Sequence, residues 1–240
     1  MRLALEFKKL KRSGLLPAFL GGGLLAAALP VINMALRRDA YANITGSPVS
    51  ILLEANWQMM ALLDLLLIAL GGCILYNIEY ADRAMEKLRA LPVRESSLFF
   101  SKAALLALSG LMALAIQWAS LLFCSVHWFR PSAGLCVELL ESLGASLLLS
   151  LPAVLLALLI ASACRSMWIS LGLDVICVFT AVMIPTRFFA LTLFPFALPF
   201  QLLLDKPAET VRAYMAAAAA EIFLLSAAEI IFLKIRRSLE

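Results

Sequence analysis

Glu79-Tyr80-Ala81-Asp82-Arg83-Ala84-Met85-Glu86-Lys87-Leu88-Arg89-Ala90-Leu91-Pro92-Val93-Arg94-Glu95-Ser96-Ser97-Leu98-Phe99-Phe100-Ser101-Lys102 is the one long, densely charged stretch of this chain. Nine of its 24 residues are charged, and an apolar run flanks it on either side. Each run is about 20 residues, the length that crosses roughly 30 Å of hydrocarbon as a helix. A polar island between two such runs is a connection between two membrane spans. Composition agrees: of 240 residues, 63% are hydrophobic and 15% charged, against about 25% charged in an average soluble domain. The chain therefore reads as an all-α polytopic membrane protein, with one transmembrane domain over 1–240.

Outward from the island, long apolar runs predict six spans, at about 14–36, 57–77, 103–126, 139–164, 168–185 and 214–233. Before the first, Arg2, Lys8, Lys9, Lys11 and Arg12 alternate with Leu3, Leu5, Phe7 and Leu10. That pattern fits an amphipathic elbow helix on the inner leaflet, and equally a plain topogenic tail. The uncharged run from Ser13 to Leu36 exceeds a secretory h-region, so it is read as a retained helix. Gly21-Gly22-Gly23 and Pro30 are expected to weaken or kink it. Trp57 reads as an interface marker for the second span, and Ser96 or Ser97 as a cap leading into the third. In the fourth, Ser142, Ser146 and Ser150 make a small-residue stripe, and Pro152 is expected to bend the helix. Residues 188–204 are apolar but broken by Pro195 and Pro199, which reads as a re-entrant or interfacial hairpin before the sixth span.

Six spans put both termini on one side. The N-terminal tail, the charged segment, Arg165 and the C-terminal tail carry 14 Lys and Arg, the other three connections six. The positive-inside rule places both termini and Glu79–Lys102 in the cytosol. The net charge of +4 is spread over span ends rather than gathered into a patch, so it does not point to nucleic acid.

Catalytic chemistry has little to stand on. His127 is the only histidine, and no GxSxG, HExxH or GxxxxGK[ST] occurs; no metal site is read, and any ATP must be handled by another chain. Five single cysteines, with no CxxC, read as small buried hydrophobes. Asp64, Asp174, Glu221 and Glu229 lie inside apolar spans, where ionisable groups are costly. Either they line a polar cavity or helix-pairing seam, or they simply hydrogen-bond to serine or backbone within packed helices.

Within the charged segment, Tyr80, Ala84, Leu88 and Leu91 form one helical stripe, and Asp82, Arg83, Glu86, Lys87 and Arg89 cover the rest. Pro92 stops that helix. The pattern describes a short rigid amphipathic element, or a solvated loop that only enforces topology. It resembles the cytosolic stretch after the second span in permeases of the ABC-2 superfamily of ABC exporters, where an acidic residue leaving the membrane, a charged helix, Leu-Pro and a Lys at the next span follow in order. Glu79, the helix through Arg89, Leu91-Pro92 and Lys102 match those positions. The size also resembles the small permeases of lantibiotic (bacteriocin) immunity transporters. The resemblance implies a cytosolic coupling helix, with Glu79, Arg83, Glu86, Lys87, Leu88, Arg89, Leu91, Pro92 and Arg94 engaging a separate ATP-binding subunit that carries ATP and Mg, while this chain holds no cofactor. It further implies a second permease, same or related, membrane lipid as surroundings, a bacterial-type cytoplasmic (inner) membrane, and export of an amphipathic substrate such as a peptide antibiotic, drug or lipid-like compound. The competing class is a non-transport membrane scaffold or sensor partner, which would need no ATPase.

Overall fold

A computed structural model describes residues 13–41, 44, 46–81, 95–129, 134–164, 166–184, 189–204 and 206–239, and every regular element among them is helical. In chain order these are α1 (Leu15–Tyr41), α2 (Pro48–Ala81), α3 (Glu95–Trp128), α4 (Leu135–Ala163), α5 (Met167–Met183), α6 (Phe189–Thr192) and α7 (Ala208–Leu239), with one 3₁₀ turn at Leu198–Phe200. The N-terminal elbow lies outside the described residues. Five helices (α1, α2, α3, α4 and α7) are long and apolar enough to cross a membrane; α5 is apolar but has 17 residues. At 1.5 Å per residue α2 and α3, with 34 residues each, are about 50 Å long, well beyond the hydrocarbon core.

That extra length corrects two boundary readings. Trp57 sits nine residues into α2 and is buried, so it packs inside the bundle instead of marking an interface. Ser96 and Ser97 lie within α3, after its start at Glu95, so neither is its cap. Glycine does shape two entries: Gly14 precedes α1 at φ 74° and Gly134 caps α4 at φ 100°, left-handed conformations that a Cβ disfavours.

α1 packs on α3 and α2, α4 on α2, α3 and α7, and α5 on α2 and α4. One buried layer joins Leu15, Phe19, Leu75, Tyr76, Phe99 and Ala161. It sits at the end where α2 finishes and α3 begins, here the segment end. A second layer joins Met34, Val49, Trp57, Leu121 and Leu135 at the opposite end. In lipid, apolar burial gives no net drive between helices, so close van der Waals fit must hold them. Small residues supply it: a Cβ on Gly23 would stand 3.0 Å from the Ala113 Cα, and one on Gly71 2.5 Å from Leu106 Cδ1. The glycine run in α1 is thus a contact surface. The helix continues through it and through Pro30; its one non-helical residue is Arg37, at φ −130° and ψ 33°. α4 likewise runs unbroken through Pro152.

Residues 189–204 do not form a spanning helix, as Pro195 and Pro199 predict, since each removes a backbone donor. The chain instead makes α6, a series of tight turns and the 3₁₀ turn. Phe196, Ala197, Leu198 and Pro199 are buried, and the 3₁₀ turn packs on α4 and α2. The Trp57 indole donates to the Pro199 carbonyl at 3.0 Å, so a side chain of α2 satisfies backbone that no helix ladder covers. All five cysteines are free; Cys73 and Cys124 are buried, and Cys136, next to the start of α4, is exposed.

Candidate functional site

Of the coupling residues named from sequence, Arg83, Glu86, Lys87, Leu88, Arg89, Leu91, Pro92 and Arg94 lie outside the described residues. Glu79 lies in the last turn of α2, and its side chain is likewise outside the description. The two stems are described: the end of α2, running to Ala81, and the start of α3, from Glu95. Lys102 ties them. It is 2% exposed, its Nζ donates to the Leu75 carbonyl at 2.5 Å, and it lies 4.6 Å from the centre of the Tyr76 ring. A carbonyl near the C-terminal end of a helix and an aromatic face both attract a cation.

The four acids separate by partner. Asp64 is about 24 Å along α2 from Pro48, and its Oδ1 accepts from Gln117 Nε2 of α3 at 2.6 Å. Asp174 of α5 is fully buried. There Cys73 Sγ of α2 stands 3.8 Å from Asp174 Oδ2 and 3.4 Å from Ser170 Oγ. Glu229 of α7 is buried and accepts from Ser162 Oγ of α4 at 3.3 Å. Glu221 is half-buried, and its Oε2 accepts no hydrogen bond among the described residues. Asp64, Asp174 and Glu229 thus each touch a polar group on a neighbouring helix, at separate places in the bundle, and no two of the four are brought together.

Asp64 also borders open space. A cavity of about 20 Å³ is lined by Asp64, Trp57, Phe19, Gly110, Ser146 and Pro199, among others, large enough for about one water. A second cavity of similar size lies between Trp57, Ser142, Ser146 and Gln201. The serine stripe of α4 therefore faces α2, α3 and the proline segment. Its hydroxyl protons return to its own helix, on the carbonyls of Leu139, Ser142 and Leu147, while Ser142 Oγ accepts from the Trp118 indole at 3.1 Å. Sequence reasoning flagged the ionisable half of these contacts and missed Gln117, Cys73 and Ser162. Uncharged polar residues inside a span were the available signal, since they join helices by hydrogen bonds.

A family model described as ABC-2 family transporter protein matches residues 2–181, about three quarters of the chain. The protein belongs to the ABC-2 transporter family. No curated protein and no solved structure matches it. The ABC-2 match starts ahead of α1, runs through the charged segment and stops near the end of α5, so the proline segment and α7 lie beyond it. As an ABC-2 permease the chain is a multi-pass membrane component of an ABC transporter. Family membership implies an ATP-binding partner subunit and membrane lipid around the helices.

Proposed function

We propose that this permease exports an amphipathic substrate, a peptide antibiotic of the lantibiotic kind, a drug or a lipid-like compound, in a complex of two permeases and two ATP-binding subunits. ATP and Mg belong to the partner subunits. The observation that carries this reading is the position of the charged segment: the family match runs through it, and it joins the two longest helices of the bundle. Glu79, Arg83, Glu86, Lys87, Leu88, Arg89, Leu91, Pro92 and Arg94 seat in a cleft of the ATPase. Closure of the ATPase pair then moves the membrane helices as near-rigid bodies.

The topology that goes with it has six spans, with α5 as the short fifth, and both termini in the cytosol of a bacterial-type inner membrane. Residues 189–204 form the re-entrant hairpin, a reading supported by their burial against α2 and α4. Asp174 and Glu229 serve helix pairing, and Asp64 faces the cavity.

Combined replacement of Glu79, Leu88 and Pro92 tests the docking. The expected result is loss of the ATP-binding subunit from the purified complex, or loss of coupled export with the subunit retained. Unchanged co-purification and export would sink the assignment. A deletion strain screened against a panel of peptide antibiotics tests the substrate class, with hypersensitivity to one group expected.

A further inference from the structure

We propose that Lys102 is a positioning residue that locks the end of α2 and the start of α3 into one lever, so that force on residues 82–94 turns both helices together. The lever's use rests on the coupling reading above; the lock itself does not.

Lysine near the end of a spanning helix ordinarily extends its stem toward the interface and keeps its head in water. Lys102 is instead buried, seven residues into α3, and turns to the neighbouring helix. Its contacts on α2 include the Leu75 carbonyl at 2.5 Å and the Tyr76 ring at 4.6 Å. The first is backbone, and the second is the side chain of the next residue of α2. One side chain thereby fixes both the height and the rotation of α2 against α3.

The placement matters because Lys102 ties the two described stems, α2 to Ala81 and α3 from Glu95, directly to each other. The lock also lies beside a second one: Cys73, two residues before Leu75, meets Ser170 and Asp174 of α5. A movement of the locked stems therefore passes to α5 through residues that are themselves buried.

The test is hydrogen–deuterium exchange of the full chain in lipid nanodiscs, alone and as the complex with its ATP-binding subunit, using ATP with vanadate as the trapping probe. In the chain alone, Lys102→Met is expected to raise exchange about tenfold at residues 74–81, with residues 48–56 unchanged. Lys102→Arg, which keeps a cation and donors, restores most of the protection. In the complex, trapping changes both stems of the wild type together and those of Lys102→Met independently, a difference that a purely packing role would not produce. Wild-type exchange at both stems in Lys102→Met, or stems that still change in concert, overturns the proposal. Should Lys102→Met fail to insert, Tyr76→Leu removes the ring contact and is read the same way. If the ATP-binding subunit fails to join even the wild type, the coupling reading falls, while exchange in the chain alone still decides the lock.

Discussion

At the scale of single residues, Asp64 and Gln117 show how an intramembrane polar group is tolerated. Gln117 is fully buried and donates to Asp64, so removing one partner leaves the other's polar atoms unmatched, which costs more than removing both. Gln117→Leu is expected to destabilise the protein by about 1–3 kcal/mol, and the added change Asp64→Leu to recover most of that. Unfolding of the single and double variants in detergent checks it; simple addition of the two effects would argue against the pairing. Trp57→Phe keeps the ring but strips the donor from the Pro199 carbonyl, and is expected to cost about 1–3 kcal/mol, with faster proteolysis within residues 189–204. Only part of this was legible beforehand. An aspartate stands out in an apolar run because its charge is rare there, whereas a glutamine 53 residues further along does not announce which helix it faces. Trp57 misled for a related reason: tryptophan at the start of an apolar run suggests a membrane edge, and only the turns of α2 before it, from Pro48, show that the helix had already begun.

At the scale of elements, helix positions followed from uncharged length, because backbone bonds must close within each segment in lipid. Contacts between helices did not, and the glycines of α1 show why. Glycine in a helix interior reads as weakness by propensity, about 1 kcal/mol below alanine, until the neighbour that needs the missing Cβ is known. Gly21 faces open space, Gly22 the flexible tip of Leu67, and Gly23 the backbone of Ala113 at 3.0 Å. Alanine is therefore expected to be tolerated or stabilising at Gly21, close to neutral at Gly22, and destabilising at Gly23 by about 1–3 kcal/mol, because backbone cannot yield as a leucine tip can. A thermal melt of the three single variants ranks them; Gly23→Ala melting with Gly21→Ala would contradict the close α1–α3 contact. Residues 189–204 were the opposite case: two prolines four positions apart, together with the crossing count, pointed away from a spanning helix before any neighbour was known, although single prolines pass within α1 and α4.

At the scale of the whole molecule, three buried polar links gather at the segment end: Lys102 with Leu75 and Tyr76, Cys73 with Ser170 and Asp174, and Ser162 with Glu229. They join α2 to α3, α2 to α5 and α4 to α7. The layer at the other end packs Met34, Val49, Leu52, Leu121 and Leu139 around Trp57 and Trp118, which meet edge to face at 5.5 Å, and it has a polar link of its own, Asn33 Nδ2 donating to Asn56 Oδ1 at 3.0 Å. The membrane class was readable from local composition, and the family from the resemblance that the charged island carries. The links were not, since each joins residues 26 to 101 positions apart. The cysteines give the same architecture a chemical handle. Cys136 is exposed at the end of the bundle away from the charged segment, while Cys73 and Cys124 are sealed inside it. With the segment in the cytosol, a membrane-impermeant maleimide added to intact cells is expected to tag the protein through Cys136, and Cys136→Ser to abolish the tag. Tagging that instead requires inverted vesicles would turn the proposed orientation around, so the native thiols report which face of the membrane the transporter shows to the outside.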